Sequence, residues 1–326
     1  MNRRLFQLQI ASLLVAVPGH KSWAQGVFPS KPVKIIVPYA PGGGPDVLTR
    51  KILPKLSELL GQQVVVENIV GAGGILAAQS VARAAPDGYT LILGASTHVV
   101  QKAMQPSVKF DPVKDFVHIT RTTVTPQILV VAANSPWRSV QDLLAAIRKE
   151  PDRLNYSSGG VGSAAHLVAA AMLVATGTHA VHVPYKGSVE MVPSILAGAT
   201  QFGWPVASTA LSHVQQGTVR ALATSSGTRM PQLPNVPTLK EVLGKDELAL
   251  ESWGGIWAPA GTPAPVTDTL FKALQKLYND PVVRSDHEAG GSFVSLSASP
   301  QEFRQYIELE TVKYERLVKA TGLNTN

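Results

Sequence analysis

Residues 33–46 read VKIIVPYAPGGGPD, an apolar run of strand type that leads into a glycine-rich loop. Residues 46–60 then carry apolar side chains at helical spacing, and residues 64–67 form a second strand-like run. Residues 75–84 and 89–93 continue the alternation as a helix and a strand. This β-α-β-α-β order predicts a parallel sheet with helices on its faces.

Two residues of the first predicted helix have expected roles. Asp46 stands where the N-cap is expected, since a short acidic side chain there accepts a backbone N–H. Its charge would repel an anion, so we do not expect Asp46 to bind one directly. Pro54 lies inside the helical pattern and should kink or break the helix.

The same alternation returns further along the chain. Strands are predicted at 128–132, 154–156, 180–183, 200–204, 219–223 and 252–257, and helices at 139–149, 163–176, 189–197, 266–278 and 300–321. A chain of 326 residues accommodates two domains of ordinary size. The sequence therefore predicts two α/β lobes.

The first residues resemble a secretory signal peptide. Arg3 and Arg4 precede a mostly apolar stretch, 5–17, and the small residues Ser22 and Ala24 stand where signal peptidase reads the chain. The stretch is too short to span a membrane. An amphipathic N-terminal helix is the alternative, and the arginine pair also permits twin-arginine export. We expect cleavage near Ala24 and an exported protein.

Composition excludes several classes of site. The chain has no cysteine, which excludes disulfides, thiolate-bound metals and a cysteine nucleophile. Loss of residues 1–24 removes Arg3, Arg4 and Lys21 and lowers the formal charge from +7 to +4. No basic cluster remains, so we expect no nucleic-acid partner.

Three glycine-rich loops, 41–46, 71–74 and 157–163, follow predicted strands and precede predicted helices. Ligands of open α/β sheets bind beyond the carboxyl ends of the strands, where helix N-termini point at them. Each loop alone is equally typical of a tight turn without a ligand. Two long loops, one in each lobe, favour a cleft that binds an anion.

Other ligand classes are disfavoured. Residues 160–165, GVGSAA, fit the dinucleotide pattern G-x-G-x-x-A, but the acidic residue expected about 20 positions on is missing at the next strand. His179 and His182 are three apart on a predicted strand and face opposite sides, which disfavours metal binding. His166 either orients a ligand or completes the first turn of its helix. We expect no metal and no cofactor.

Nine short stretches carry a family resemblance. They are PSKPV (29–33), VPYAPGGGPD (37–46), GQQVVVEN (61–68), GAGG (71–74), APDGYT (85–90), FDPVKDF (110–116), LNYSSGGVGSAAHL (154–167), HVPYKG (182–187) and APAGTP (258–263). Their order and spacing resemble the extracytoplasmic receptors of tripartite tricarboxylate transporters, the Bug/TctC family. The matching stretches cover nearly the whole chain after the signal peptide.

The resemblance implies a two-lobed periplasmic binding protein of type II-like, Venus flytrap form, each lobe a mixed or parallel sheet flanked by helices. Residues 25–123 and 225–326 would form lobe 1, and residues 124–224 lobe 2. A small carboxylate would lie between the loops, held by backbone amides, hydroxyls and water. The candidate ligand-binding residues are Tyr39, Pro41, Gly42, Gly43, Gly44, Asp46, Ser96, Ser157, Ser158, Gly162, Ser163, His166, Tyr185, Trp204 and Pro205.

One departure from the family bears on the ligand. Many relatives have an acidic or amide residue after the strand at 200–204, where this chain reads WPVAS. An acid that could pair with an amino group is missing there, so we expect no amino-acid ligand. Trp204 instead favours an aromatic or apolar-bodied carboxylate.

The expected partners are that carboxylate and the permease subunits of a tripartite transporter, with the receptor itself a monomer. An exported sensor that presents its ligand to a signalling protein is the alternative. An exported hydrolase using Ser163 and His166 is a second alternative, disfavoured because the sequence places no third group to orient the histidine. We therefore expect no enzyme.

Overall fold

A computed structural model describes residues 28–323, and the predicted signal peptide lies outside them. The strands are β1 Val33–Val37, β2 Val64–Asn68, β3 Thr90–Ala95, β4 Phe116–Pro126, β5 Ile128–Ala132, β6 Asn155–Ser158, β7 Val181–Pro184, β8 Phe202–Gly203, β9 Val219–Thr224, β10 Glu251–Pro259 and β11 Phe293–Val294. The helices are α1 Gly44–Leu60, α2 Ile75–Ala82, α3 Ser96–Met104, α4 Val140–Lys149, α5 Ala164–Thr176, α6 Ser188–Leu196, α7 Ala207–Gln215, α8 Leu239–Leu243, α9 Ala264–Tyr278, α10 Pro281–Ala289 and α11 Pro300–Thr321.

The strands form two mixed sheets with helices on their faces. The first has the order β11-β4-β10-β3-β1-β2, and the second has the order β7-β6-β8-β5-β9. The predicted parallel pairing is present between β1 and its neighbours β2 and β3, and between β6 and its neighbours β7 and β8. The long strands β4 and β10 run antiparallel to each other. The two-lobed α/β fold expected from the sequence is confirmed.

Helix α1 is continuous through Pro54, so of the two expected effects the break is wrong and the kink stays a prediction. Pro54 is exposed. The carbonyl that loses its helical partner therefore faces solvent, where water can replace the missing N–H. Strands β4 and β11 and helices α3, α7, α8 and α10 were not predicted. Helix α3 begins directly after β3 with no glycine or proline between them, so the sequence gives no sign of the change.

We propose that the lobes are linked where β4 leads into β5 and where the chain enters β10. Strands β4 and β10 pair beside this point, with Thr125 opposite Ser252. Gln127 is fully buried between the strands; its backbone and side chain bond to Ser225, and its Nε2 donates to Ser252 Oγ. One buried amide therefore ties together the segments that connect the lobes.

The lobe boundaries at 123/124 and 224/225 stay a prediction. Between the second boundary and β10, the side chains of Leu239, Leu248 and Leu250 pack in the core of the second lobe beside Leu129 and Phe202. These contacts favour a second crossing after Leu250, and we propose that boundary. None of the helices in residues 28–323 has the length and apolar character needed to cross a membrane.

Candidate ligand-binding site

A cavity of about 760 Å³ lies between the two sheets. Its walls come from loops of both lobes, at the ends of β1, β3, β6 and β7, and from the inner parts of β4 and β10. This is the edge of the sheets at which open α/β folds bind ligands. The glycine-rich loops expected to form the site therefore do meet around one cavity.

Six helices begin at the cavity wall. The residues that precede α1, α2, α3, α5, α6 and α7 all line it, and they are Gly43, Gly74, Ala95, Ser163, Gly187 and Val206. The first N–H groups of a helix have no partner within the helix, and the helix dipole adds positive potential there. At α1, α2, α6 and α7 no side chain caps these groups. Within residues 28–323, four helix starts that carry no side-chain cap therefore converge on the cavity wall.

The charged side chains of the wall add to the positive potential of the helix starts. Lys186 lines the cavity, and no aspartate or glutamate does among the described residues. His287 also lines the cavity, and burial lowers the pKa of its ring, which keeps it neutral near pH 7. The electrostatics favour an anion.

The first glycine-rich loop is held by Asp46, although not in the predicted way. Gly43 is the N-cap of α1, and Asp46 is the third helical residue. Its buried carboxylate accepts hydrogen bonds from the Gly42 N–H at 2.9 Å, from Arg50 Nε at 3.0 Å and from Asn68 Nδ2 at 2.8 Å. Burial raises the pKa of Asp46, but these donors outweigh it and hold the pKa below its usual value. Asp46 fixes the loop from behind.

The second glycine-rich loop presents its backbone to the cavity. Gly159, Gly160 and Val161 line the wall, whereas Ser157 and Ser158, two of the residues expected to bind the ligand, do not. Ser158 Oγ accepts the N–H of Gly160 and bonds to His182 Nε2 at 2.6 Å. Ser157 is fully buried. Backbone amides therefore form this part of the wall.

The candidate residues separate into two groups. Tyr39, Gly43, Ser96, Ser163 and Tyr185 line the cavity. The others do not: Pro41, Gly42, Gly44, Asp46, Ser157, Ser158, Gly162, His166, Trp204 and Pro205. Trp204 is fully buried in the core of the second lobe, which removes the reason for expecting its ring to contact a ligand. Contact of the first five with a ligand stays a prediction.

Several wall residues were missed from the sequence. Thr122, Thr123 and Thr125 of β4 and Trp253 of β10 line the cavity, as does Ser208 in the first turn of α7. Strand β4 was not predicted, so none of its side chains was a candidate. Helix α7 begins at Ala207 with no capping side chain to mark it.

The Ser163 and His166 pair does not form a nucleophile and base. Ser163 Oγ accepts the backbone N–H of His166 at 3.3 Å as an N-cap. The ring Nδ1 of His166 accepts the N–H of Gly162 at 3.1 Å. Both groups are therefore used in shaping the loop.

The lobes touch across the cavity. Gln101 of α3 donates from Nε2 to the carbonyl of Val161 in the other lobe. A Cβ placed on Gly44 of α1 would lie 2.6 Å from Ser208 Cβ and 2.9 Å from its carbonyl carbon. The absence of a side chain at Gly44 therefore lets α1 meet α7. We call this the closed arrangement.

Comparison with known proteins agrees with the fold and the cavity. Residues 48–323 match the family model described as tripartite tricarboxylate transporter family receptor, TctC. A curated relative, the UPF0065 protein in the tcbD-tcbE intergenic region of Pseudomonas sp. strain P51, is 33% identical over 320 residues, which are 97% of this chain and 95% of the relative.

Solved structures are similar over nearly their whole length. The periplasmic binding protein BugD is 29% identical with a TM-score of 0.87, covering 92% of this chain and 100% of BugD. The R. palustris protein Rpa4515 with adipate is 30% identical with a TM-score of 0.86, covering 90% and 98%. MatC from Rhodopseudomonas palustris with bound malate is 28% identical with a TM-score of 0.84, covering 89% and 100%. The chain belongs to the TctC family of tripartite tricarboxylate transporter receptors, which are solute-binding proteins and not enzymes.

Proposed function

We propose that this protein captures a small carboxylate in the cavity between its lobes and delivers it to the permease of a tripartite tricarboxylate transporter. The observation that carries the proposal is the meeting of six helix N-termini at a wall that lacks acidic side chains among the described residues. Helix N-termini favour negative charge, and their N–H groups match carboxylate oxygens. The export that this role requires rests on the predicted signal peptide, residues 1–24.

The body of the ligand is proposed to be apolar. Leu48, Leu93, Val189, Val206 and Trp253 line the cavity, so a chain or ring beyond the first carboxylate would leave water and contact these side chains. Trp253 now takes the place that the sequence suggested for Trp204. The relatives solved with adipate and malate bind dicarboxylates, and they support testing linear diacids beside aromatic acids.

The binding proposal is tested by thermal unfolding and calorimetric titration of residues 25–326. The panel holds adipate, malate, benzoate and aspartate. A ligand at about 100 times its dissociation constant should raise the free energy of unfolding by about 2.7 kcal/mol. Stabilisation by diacids or aromatic acids supports the proposal, whereas stabilisation by aspartate alone contradicts the apolar body. No stabilisation by any carboxylate contradicts the proposal as a whole.

A variant pair locates the site. Gly43 has an ordinary φ of −68°, and a Cβ there would lie 3.2 Å from the Ala40 carbonyl oxygen of its own loop and 3.7 Å from Val189 Cγ1 across the cavity. Gly43→Val should therefore abolish binding without unfolding the protein. Gly227→Ala is the control, because a Cβ there meets nothing closer than 4.0 Å. Unchanged affinity in folded Gly43→Val would place the site elsewhere.

Delivery is tested separately from capture. Uptake of the radiolabelled ligand should fall when the gene is deleted and return when it is restored. Intact uptake, together with loss of a transcriptional response to the ligand, would instead indicate a sensor.

A further inference from the structure

Two histidines lie stacked behind the second glycine-rich loop. His166 of α5 and His182 of β7 have ring centroids 3.8 Å apart and an interplanar angle of 7°. Tyr156 of β6 continues the stack, 5.0 Å from His182. His166 is buried and His182 is partly buried, and neither lines the cavity. The pair has no part in the ligand contacts proposed above.

The two rings hold opposite ends of the loop. At one end, His182 Nε2 bonds to Ser158 Oγ, which also accepts the N–H of Gly160 at 3.1 Å. At the other end, the N–H of Gly162 donates to His166 Nδ1. The amides of Gly159 and Val161, between these ends, have no hydrogen-bond partner within residues 28–323. The histidines therefore hold both ends of the loop. The N–H groups of Gly159 and Val161, two residues that line the cavity, are left without a partner among the described residues.

The loop needs such support because its backbone is unusual. Gly160 has a φ of 112° and Gly162 a φ of 73°, conformations that glycine adopts and that an isolated glycine-rich loop would not keep. If the loop became ordered only as the ligand bound, its glycines would lose more conformational entropy than other residues would. A loop fixed beforehand avoids that loss in the binding step.

We propose that His166 and His182 are positioning residues that hold the 158–163 loop in its anion-receiving conformation before the ligand arrives. The inference rests on the proposed function, since it gives the loop amides a carboxylate to receive. Each ring acts through one nitrogen: Nδ1 of His166 and Nε2 of His182.

The arrangement requires neutral rings. His166 Nδ1 can accept an N–H only when it carries no proton, and two charged rings at stacking distance would repel. Burial lowers the pKa of His166 to about 3, with a contribution from His182, and burial lowers the pKa of His182 to about 4. The other titratable group in the stack is Tyr156, whose pKa burial raises. Among the described residues, no acidic or basic side chain bonds to either ring.

The test exchanges single nitrogens. Asparagine places an acceptor near the position of histidine Nδ1, and glutamine places a polar group near that of Nε2. His166→Asn and His182→Gln should keep carboxylate affinity within about threefold, whereas His166→Gln and His182→Asn should weaken it by about tenfold, the effect of one lost hydrogen bond. If the two histidines only filled space, asparagine and glutamine would have similar effects at each position. The opposite preference of position 166 for Asn and of position 182 for Gln would then not be seen.

A second measurement needs no ligand. Amide hydrogen exchange of Gly162, followed by NMR, should quicken in His166→Gln and stay slow in His166→Asn. Ser158→Ala should likewise quicken exchange at Gly160, because it removes the hydroxyl between that N–H and His182. Equal exchange in both His166 variants would overturn the inference. If exchange follows the crossed pattern but no carboxylate binds, the proposed function fails while the positioning role stands.

The pH profile gives a third readout. Because both rings stay neutral in the folded protein, wild-type affinity should not fall as the pH drops from about 8 to about 5. A proton taken up by His287, which lines the cavity, would add positive charge and would strengthen anion binding. A loss of affinity centred near the ordinary histidine pKa would mean that a ring is protonated in the free loop and must lose its proton on binding, which would overturn the inference.

Discussion

Asp46 shows how one side chain can organise a ligand loop without touching a ligand. Its carboxylate joins Gly42 of the loop, Arg50 of its own helix and Asn68 at the end of β2. Three parts of the first lobe therefore meet at one buried acid. A buried carboxylate is tolerated because each of these donors satisfies it.

Asp46→Ala should lower the free energy of unfolding by about 1.5–3 kcal/mol, the range for hydrogen bonds to a charged group. Because the pKa of Asp46 is lowered in the folded state, its ionised form contributes stability above the usual aspartate pKa and loses it as pH falls below that value. Urea unfolding at several pH values measures both effects. Glu58→Gln, which breaks an exposed ion pair with Lys55 on the same helix, is the control and should cost about 0–1 kcal/mol. Equal losses in both variants would contradict the role of Asp46.

For single residues, the sequence predicted which ones lie at the cavity better than it predicted what their side chains do. Gly43 and Tyr39 were expected at the cavity and line it. Asp46 was expected as the N-cap, but Pro45 was the better signal, because proline favours the first turn and so puts the helix start before it. The bonds of Asp46 to Asn68 and of Ser158 to His182 join residues 22 and 24 apart, and no local pattern reveals them.

The helix starts are the elements that make the site. A glycine precedes α1, α2 and α6, so their first N–H groups are unshielded by side chains. The sequence identified the loops before α1, α2 and α5 because glycine-rich runs mark them. It missed α3, which follows β3 directly, and α7, which begins with no capping side chain. Half of the converging helix starts were thus visible as loops.

Gly44→Ala should weaken ligand binding by hindering the meeting of α1 and α7. The added Cβ would overlap the side chain and backbone of Ser208 in the opposite lobe, and its three nearest atoms all belong to that residue. We expect about a tenfold rise in the dissociation constant, together with a larger radius of gyration in the presence of ligand, measured by small-angle X-ray scattering. Gly227→Ala again serves as the control. A Gly44→Ala protein that binds and compacts like the wild type would show that this contact is unimportant for closure.

Buried histidines set the acid response of the whole molecule. Burial lowers the pKa of His98 and His118 to about 4, and it lowers the pKa of His287 as well. With His166 and His182, these groups are neutral when folded and take up protons on unfolding. Above pH 6.5, the usual histidine pKa, these rings are neutral in both states and do not lower the free energy of unfolding. As the pH drops from 6.5 toward about 4, only the unfolded chain takes up the protons, so the free energy of unfolding falls.

The free energy of unfolding should therefore decrease steeply between about pH 6.5 and pH 4, by about 1.4 kcal/mol per pH unit for each proton taken up. His118→Gln removes one of these histidines, so about one proton fewer is taken up on unfolding. The slope of the free energy of unfolding against pH should decrease by about 1.4 kcal/mol per pH unit. Denaturant titrations across this range measure it. His179→Gln is the control, because that side chain is exposed in the folded protein. An unchanged slope in His118→Gln would contradict the neutral burial of His118.

The large-scale plan followed from local patterns because strands and helices alternate in both lobes. The assignment of residues 225–250 to a lobe does not follow from local patterns, because these residues lack strong periodicity. Only their packing against the core of the second lobe favours placing them there. The mixed character of the sheets also depends on β4 and β10, which are distant in sequence and pair antiparallel.

The buried amide of Gln127 has a mechanical consequence. It is bonded to Ser225 and Ser252, so the two strands that connect the lobes cannot slide past each other without breaking those bonds. Twisting and shearing are opposed, and bending across the strand pair is the soft direction that remains. We expect opening to follow a single coordinate, the angle between the sheets, so that one interlobe distance measured by a spin-label or fluorophore pair would describe the full motion.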